Sequence, residues 1–378
     1  MKKPRILFHA NAAAGYAGGH YAGIHRVTYE LLLAISKERD LPFEFEIYTQ
    51  GLKSRKQILG SMNLNHHQIY TPNNSFFPAL HEYLPFREAF LRYDLFHVPH
   101  NFEYFFKTGK CVVTLHDMLL FVRQKDFPAS NVKDQLVKLP RLIKGSKGII
   151  TCSESSRRDI ENYLQVGTEK IRVLPWGIRH DLFFPDKENA RHGEFLKTIG
   201  ITFPFFLSIS CGTDRKNTQV LLAAYTRLVK NNPSNHLVLI WPNVPSYIME
   251  TIERNKLGEK VHILNPVDDK TLAVIYNQAT ALLFPSKYEG FGLPVAESLA
   301  CGTPAVIGNN SSLPEVAGDA GIYIQDVEDA EEWRKIMEKF ENKGFDIDGI
   351  SKRGIIQAGK FTWEKNAKQT LEYYSDLL

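Results

Sequence analysis

Apolar runs of strand length alternate with amphipathic stretches along this chain, and the alternation breaks once and then restarts. In the first half, strands are predicted at 5–9, 45–48, 95–98, 111–115, 148–151 and 171–174. Helices fit between them at 24–36, 132–144 and 154–164, the last with Ser153 as its N-cap. The stretch 175–193, PWGIRHDLFFPDKENARHG, replaces periodicity with proline, glycine and charge and reads as a linker. Strands resume at 204–209, 237–240, 261–264, 281–284 and 305–307, again with helices between. Strand-helix alternation of this kind builds parallel sheets covered on both faces. The expectation is an α/β chain of two Rossmann-like, doubly wound domains, with a cleft between the carboxyl ends of their sheets, where such folds bind ligands.

With 378 residues the chain can bury large cores without disulfides or metals. Its four cysteines, Cys111, Cys152, Cys211 and Cys301, lie far apart with no CxxC pair, so neither a zinc site nor a disulfide frame is indicated. Ile6-Leu7-Phe8 is too short an apolar run for a signal peptide. No stretch approaches the ~18 apolar residues of a membrane span. A cytoplasmic protein is expected. Charge is uneven: residues 1–180 hold 25 Lys and Arg against 16 Asp and Glu, residues 181–378 hold 21 against 26.

The stretch KYEGFGLPVAESLACGTP, 287–304, places Glu289 and Glu297 on either side of Gly290-Phe291-Gly292-Leu293-Pro294. Proline suits the first turn of a helix, so a helix should start near Leu293 and run through Cys301, with Glu289 in the loop before it. A glycine-rich turn and the open N–H groups of a helix start accept a sugar or a phosphate. The plain alternative is a strand-to-helix turn in which Glu297 only complements the helix dipole and Glu289 is solvated.

After the strand at 204–209, the sequence CGTDRKNT turns at Gly212-Thr213 and brings Arg215 and Lys216 to the start of a helix near Asn217 or Thr218. Two cations there oppose the dipole, so something anionic should offset them, a diphosphate being the natural candidate. A solvated basic turn is the alternative. NAAAGYAGGHYAGIHRV, 11–27, follows the first strand; its glycines, Gly18 and Gly19 among them, do not make the dinucleotide GxGxxG pattern, although the loop could bring backbone close to a ligand. VVTLHD ends a strand on His116, where an imidazole would face the cleft; His9, His97 and His100 stand at comparable strand ends and warn that such histidines are often structural.

EGFGLPVAE resembles the E-x7-E motif of retaining glycosyltransferases of the GT-B fold, specifically family 4 (group 1). GTDRKN, TCSESSRRDI, IRVLPWGI, SSLPEVAGDAGIY, VVTLHD and the terminal FTWEKNAKQTLEYY are similar to that family in the expected order. The resemblance implies an acceptor-binding domain at 1–178, a nucleotide-sugar donor domain at 179–360 and a C-terminal helix at 361–378 packing back toward the first domain. It implies that Glu289 touches hydroxyls of the donor sugar and that Gly290, Phe291, Gly292 and Leu293 present backbone to sugar and phosphate. Glu297 would accept both ribose hydroxyls, as two carboxylate oxygens suit a vicinal diol. Lys216 with Arg215, beside Gly212, would bind the diphosphate, and His116 would contact the sugar near its anomeric carbon. Catalysis would thus rest on His116, Glu289 and Lys216.

Similarity to bacterial polysaccharide mannosyltransferases suggests mannose from GDP-mannose, moved onto a glycan or lipid-linked acceptor. No metal or other cofactor and no nucleic acid is expected, and the basic first half could associate weakly with anionic membrane. The turn at Gly212 is shorter than in many members, and Asn265-Pro266-Val267 stands where a Gly-x-Val usually lies near the base, so the base is not read here. A UDP-sugar donor, a two-carboxylate hydrolase, an epimerase and a non-catalytic partner are the rival readings. The proline-started helix between the glutamates speaks against the hydrolase, and the presence of His116, Lys216, Glu289 and Glu297 against the non-catalytic partner.

Overall fold

The computed structural model describes residues 2–17, 23–50, 59, 62, 64–69, 91–100, 108–209 and 214–378. Gly18, Gly19, Cys211 and Gly212 lie outside them, as does most of 51–107 with its phenylalanines. The chain divides into two compact units, Met1–Gly177 together with Trp363–Leu378, and Ile178–Thr362.

The first unit is built on a seven-stranded parallel sheet in the order β3-β2-β1-β4-β5-β6-β7. Its strands are β1 (Arg5–His9), β2 (Glu44–Gln50), β3 (Asn65–Ile69), β4 (Leu95–Val98), β5 (Cys111–Thr114), β6 (Gly148–Thr151) and β7 (Ile171–Val173). The central strands are mostly apolar because helices cover both faces; Ile6, Phe8, Leu95, Val112, Val113 and Ile149 are fully buried, and so is the polar His97. Ser153 caps the helix Glu154–Leu164 as expected, accepting from the Ser156 amide at 3.0 Å.

The helix expected at 132–144 runs from Ala129 to Gly145. It buries Val132, Gln135, Leu139, Leu142 and Ile143 against the sheet, so its apolar stripe is core. Leu136, which sequence spacing puts on that stripe, is instead 37% exposed, next to Val137 at 51%.

Trp363–Leu377 is a helix belonging to the first unit. Tyr374 is fully buried, with its hydroxyl on His97 Nδ1. Asn366 Nδ2 donates to the carbonyls of Leu174 and Pro175 at 3.2 and 2.8 Å, and the Tyr373 hydroxyl to that of Lys170 at 3.0 Å. Any side chain at Gly148 would collide with Tyr373, which fixes glycine there.

The second unit holds a six-stranded parallel sheet, order β10-β9-β8-β11-β12-β13. Its strands are β8 (Phe205–Ile209), β9 (His236–Ile240), β10 (Val261–Leu264), β11 (Ala281–Phe284), β12 (Ala305–Gly308) and β13 (Gly321–Ile324). Leu237, Leu239, Trp241, Leu283 and Val306 pack with Tyr225 and Trp333 from the covering helices. Here β8 pairs with both β9 and β11, so the strand order reverses beside β8. At such a switch point the loops leaving the two strands diverge and open a crevice.

Candidate active site

The loops that diverge there are those carrying the singled-out residues. Arg215 and Lys216 follow β8 in a short 3-10 turn, Asp214–Lys216, and Glu289 follows β11. Adjacent strands thus bring together side chains 73 and 74 positions apart. Lys216 Nζ donates to Glu289 Oε1 at 2.6 Å and Arg215 Nη1 to the same oxygen at 2.8 Å. The Ser286 hydroxyl donates to it at 2.6 Å. The backbones are tied as well: the Lys287 amide donates to the Arg215 carbonyl at 2.8 Å.

The offsetting anion that the two cations demand is therefore supplied within the chain, by Glu289. Burial alone would raise that carboxyl's pKa; Lys216 and then Arg215 outweigh it and hold it below the ordinary carboxylate value. The three side chains are 13 to 17% exposed and carry one net positive charge between them. Among the described residues, every hydrogen bond of the Glu289 carboxylate falls on Oε1, so Oε2 keeps its acceptor capacity. Lys216 Nζ also lies 4.6 Å from the centre of the buried Phe284 ring.

Local backbone choices hold this knot in place. Asn217 takes a left-handed conformation (φ 52°), which asparagine tolerates, and begins the helix Thr218–Leu228; its Nδ2 donates to the Val327 carbonyl at 2.7 Å. On the other side Gly292, at φ 110°, starts the helix Leu293–Ala300, with Pro294 in its first turn. A Cβ on Gly292 would sit 2.8 Å from Leu313 Cδ2. Ser312 Oγ donates to the carbonyls of Glu289 and Phe291 at 3.0 and 2.7 Å, and Ser311 Oγ accepts from the Glu289 amide at 3.1 Å. Glu297 is only 2% exposed and accepts from the Tyr276 hydroxyl at 3.2 Å. The glutamates are thus differently placed, one in a charged knot and one inside a helix against a phenol.

His116, in the first unit, is 5% exposed. Its Nε2–H donates to the Pro99 carbonyl at 2.8 Å, and Nδ1 has no partner among the described residues. Trp176 meets the ring edge-on at 5.2 Å. Burial, with His100 adding to it against the Pro99 bond, pushes the imidazole down to about 4, so it is neutral near pH 7 with an acceptor at Nδ1.

Sequence reasoning missed Ser286, Ser311, Ser312 and Tyr276. Ser286 directly follows the strand-ending Pro285, a signal available in the sequence; nothing marks Tyr276 as the partner of Glu297.

Two family models match the chain, glycosyltransferase family 4 over residues 21–182 and glycosyl transferases group 1 over residues 197–348. The chain is 28% identical over 298 residues to the O-antigen chain mannosyltransferase B of Escherichia coli, covering 74% of this chain and 72% of that one. It is 24% identical over 277 residues to the serotype-specific mannosyltransferase WbdA of Escherichia coli, where it spans 34% of that protein's length. In structure it is similar to sucrose-phosphate synthase from Thermosynechococcus elongatus, with TM-score 0.75, 19% identity and 99% of each chain covered. Anabaena Alr3699/HepE, solved with UDP and glucose, gives TM-score 0.74 at 16% identity over 99% of this chain and 100% of that one. With both sheets parallel, and family matches that between them take in the loops of β5, β8 and β11, the chain belongs to the family 4 (group 1) glycosyltransferases of the GT-B fold.

Proposed function

We propose that this glycosyltransferase is retaining, takes mannose from GDP-mannose and places it on a glycan or lipid-linked acceptor in polysaccharide biosynthesis. The observation that carries the reading is the Lys216–Glu289–Arg215 knot at the switch point of the second sheet. The names of the relatives, mannosyltransferases of O-antigen chains, support the sugar.

In this reading the bond between the anomeric carbon and the diphosphate oxygen breaks first. The leaving diphosphate gains charge as it departs, and Lys216 and Arg215 stabilise that charge without a metal ion. Glu289 Oε2 accepts from a donor-sugar hydroxyl, while Oε1 keeps both cations oriented. The acceptor hydroxyl attacks from the face the diphosphate leaves and gives its proton to a diphosphate oxygen. Glu297 holds the ribose diol and His116 Nδ1 accepts from the sugar.

Weak association with anionic membrane is part of the proposal. The outer face of Ala129–Gly145 shows Leu136 and Val137 among exposed Lys133, Arg141 and Lys144. Each cation near such a surface contributes ~1 kcal/mol.

A thermal-shift panel of GDP, UDP, ADP and dTDP tests the donor, since a ligand at 100 times its dissociation constant stabilises by about 2.7 kcal/mol. GDP should shift the transition most, and a coupled assay with GDP-mannose should yield an α-linked product. A larger shift with UDP, or a β-linked product, overturns the donor or the stereochemistry respectively.

A further inference from the structure

We infer that the first unit carries a second anion site, at the amino edge of its sheet and thus at the end opposite the strand ends that carry His9 and His116, and that it binds a phosphate-bearing ligand. A cavity of about 400 Å³ lies there, lined by Lys2, Lys3, Arg5, Arg92 and Lys110 with a single carboxylate, Asp94. That volume is in the range of small-ligand sites.

Three neighbouring strands build it. Arg5 opens β1, Arg92 and Asp94 lead into β4, and Lys110 leads into β5. The strand order brings five cations from three separate parts of the sequence around one hollow, which sequence spacing does not show.

Only part of that charge is compensated. Arg5 pairs with Glu46 at 2.7 Å and Glu44 at 3.4 Å. Asp94 accepts from the Arg5 amide at 2.9 Å and stands 4.0 Å from Lys110 Nζ, which donates to the Tyr93 carbonyl at 2.9 Å. Among the described residues, Lys3 Nζ reaches only the Leu41 carbonyl, at 2.7 Å. Lys2 and Arg92 are exposed and have no hydrogen-bond or ion-pair partner among the described residues. Among the described residues, Lys2, Lys3 and Arg92 therefore present three uncompensated positive charges to a concave surface. A phosphate ester, with close to two negative charges and three acceptor oxygens, matches that surface; Arg92 can grip it with two parallel N–H donors and the lysines add point charge.

The test is calorimetric titration of tripolyphosphate into full-length protein carrying Lys216→Ala, which weakens anion binding at the second unit, with and without Lys2→Ser and Arg92→Ser. Those two side chains are exposed and have no partner among the described residues, so unchanged thermal unfolding in the absence of ligand serves as the control. At about fivefold for each cation removed, the pair should weaken binding by about 25-fold, and the remaining affinity should fall with salt. No binding to the Lys216→Ala protein, or binding untouched by the pair, overturns the site. Short-chain phosphatidic acid, below its micelle concentration, is then compared with glycerol phosphate. Tighter binding of the lipid assigns the anion to a lipid headgroup, and equal binding to a soluble phosphate ester.

Discussion

Lys216 Nζ and Glu289 Oε1 lie 2.6 Å apart, joined across β8 and β11 although 73 residues separate them in the chain. The pair makes Glu289 both a neutraliser of the cationic turn and a competitor of any phosphate that seeks it. Lys216→Ala should lower transfer by ~100-fold or more, the range for losing one preorganised charge-stabilising donor. Full activity in that variant, with or without magnesium, would refute the leaving-group role.

Glu289→Gln removes the competitor but keeps the shape. Turnover should fall strongly while the nucleoside diphosphate binds as well as before or tighter, because Lys216 and Arg215 are released to it. Glu297→Ala should do the reverse, weakening the nucleotide. Calorimetry with GDP separates them; equal losses for both variants would remove the division of labour between the two glutamates.

Gly292→Ala combines a left-handed backbone at φ 110° with a contact to Leu313. A cost of ~1–3 kcal/mol is expected, or about 2–4 °C in Tm for each kcal/mol in a domain of this size. Leu313→Ala alone empties a buried site at a cost of about 2–5 kcal/mol, but it also removes the collision, so the double variant should cost less than the sum of the two single variants. An unchanged Tm in the single variant contradicts the geometry.

Two buried histidines set a pH dependence. Burial first, then His116 and His100, push His97 down to about 3, and His116 lies at about 4, whereas both titrate near 6.5 once unfolded. Between those values the unfolded chain binds more protons than the folded one, so stability falls as pH drops from about 6.5 toward 4 and is fully present above 6.5. Urea midpoints at pH 7, 5.5 and 4.5 should decline in that order, and His97→Phe should flatten part of the slope. A profile that is level across this window would show that the histidines do not carry it.

Co-sedimentation with anionic vesicles at low salt should retain wild-type protein weakly, and Leu136→Ser with Val137→Ser should release it. At 0.5 M salt the Debye length shrinks to about 4–5 Å, and binding should vanish. Retention that ignores both salt and the double variant would rule this helix face out.

The parts of this molecule that the sequence announces are those whose chemistry is local. The interior strands read directly because both faces are covered and most positions are apolar, with a few buried polar residues such as His97 and Ser208 among them. β3 and β13 escape the same reading, and among the described residues both are edge strands: NHHQI pairs only with β2, and GIYI, partly exposed, only with β12. An edge strand can be polar because solvent takes one side of it. In the site, the proline-started helix and the glycine turn follow from backbone rules, and so do Glu289 and Glu297. What the sequence leaves hidden is pairing at long range. The cations demand an anion, but that it is Glu289 depends on β8 lying beside β11. Likewise Leu136 looks like core by spacing, and only the facing sheet decides that Gln135 turns inward instead.

The helix Trp363–Leu377 sits in the first unit, and a parallel bridge joins Ile178 to Thr362, the two ends of the second. The second unit is thus an insertion within the first, entered and left at neighbouring points. During synthesis this inverts the usual order of completion, because residues 178–362 can close their sheet while the unit that began first still waits for its last helix. His97 has no Tyr374 until translation reaches that residue. A stop codon just after Thr362 would therefore spare the unit that ends there and damage the unit whose message was read first.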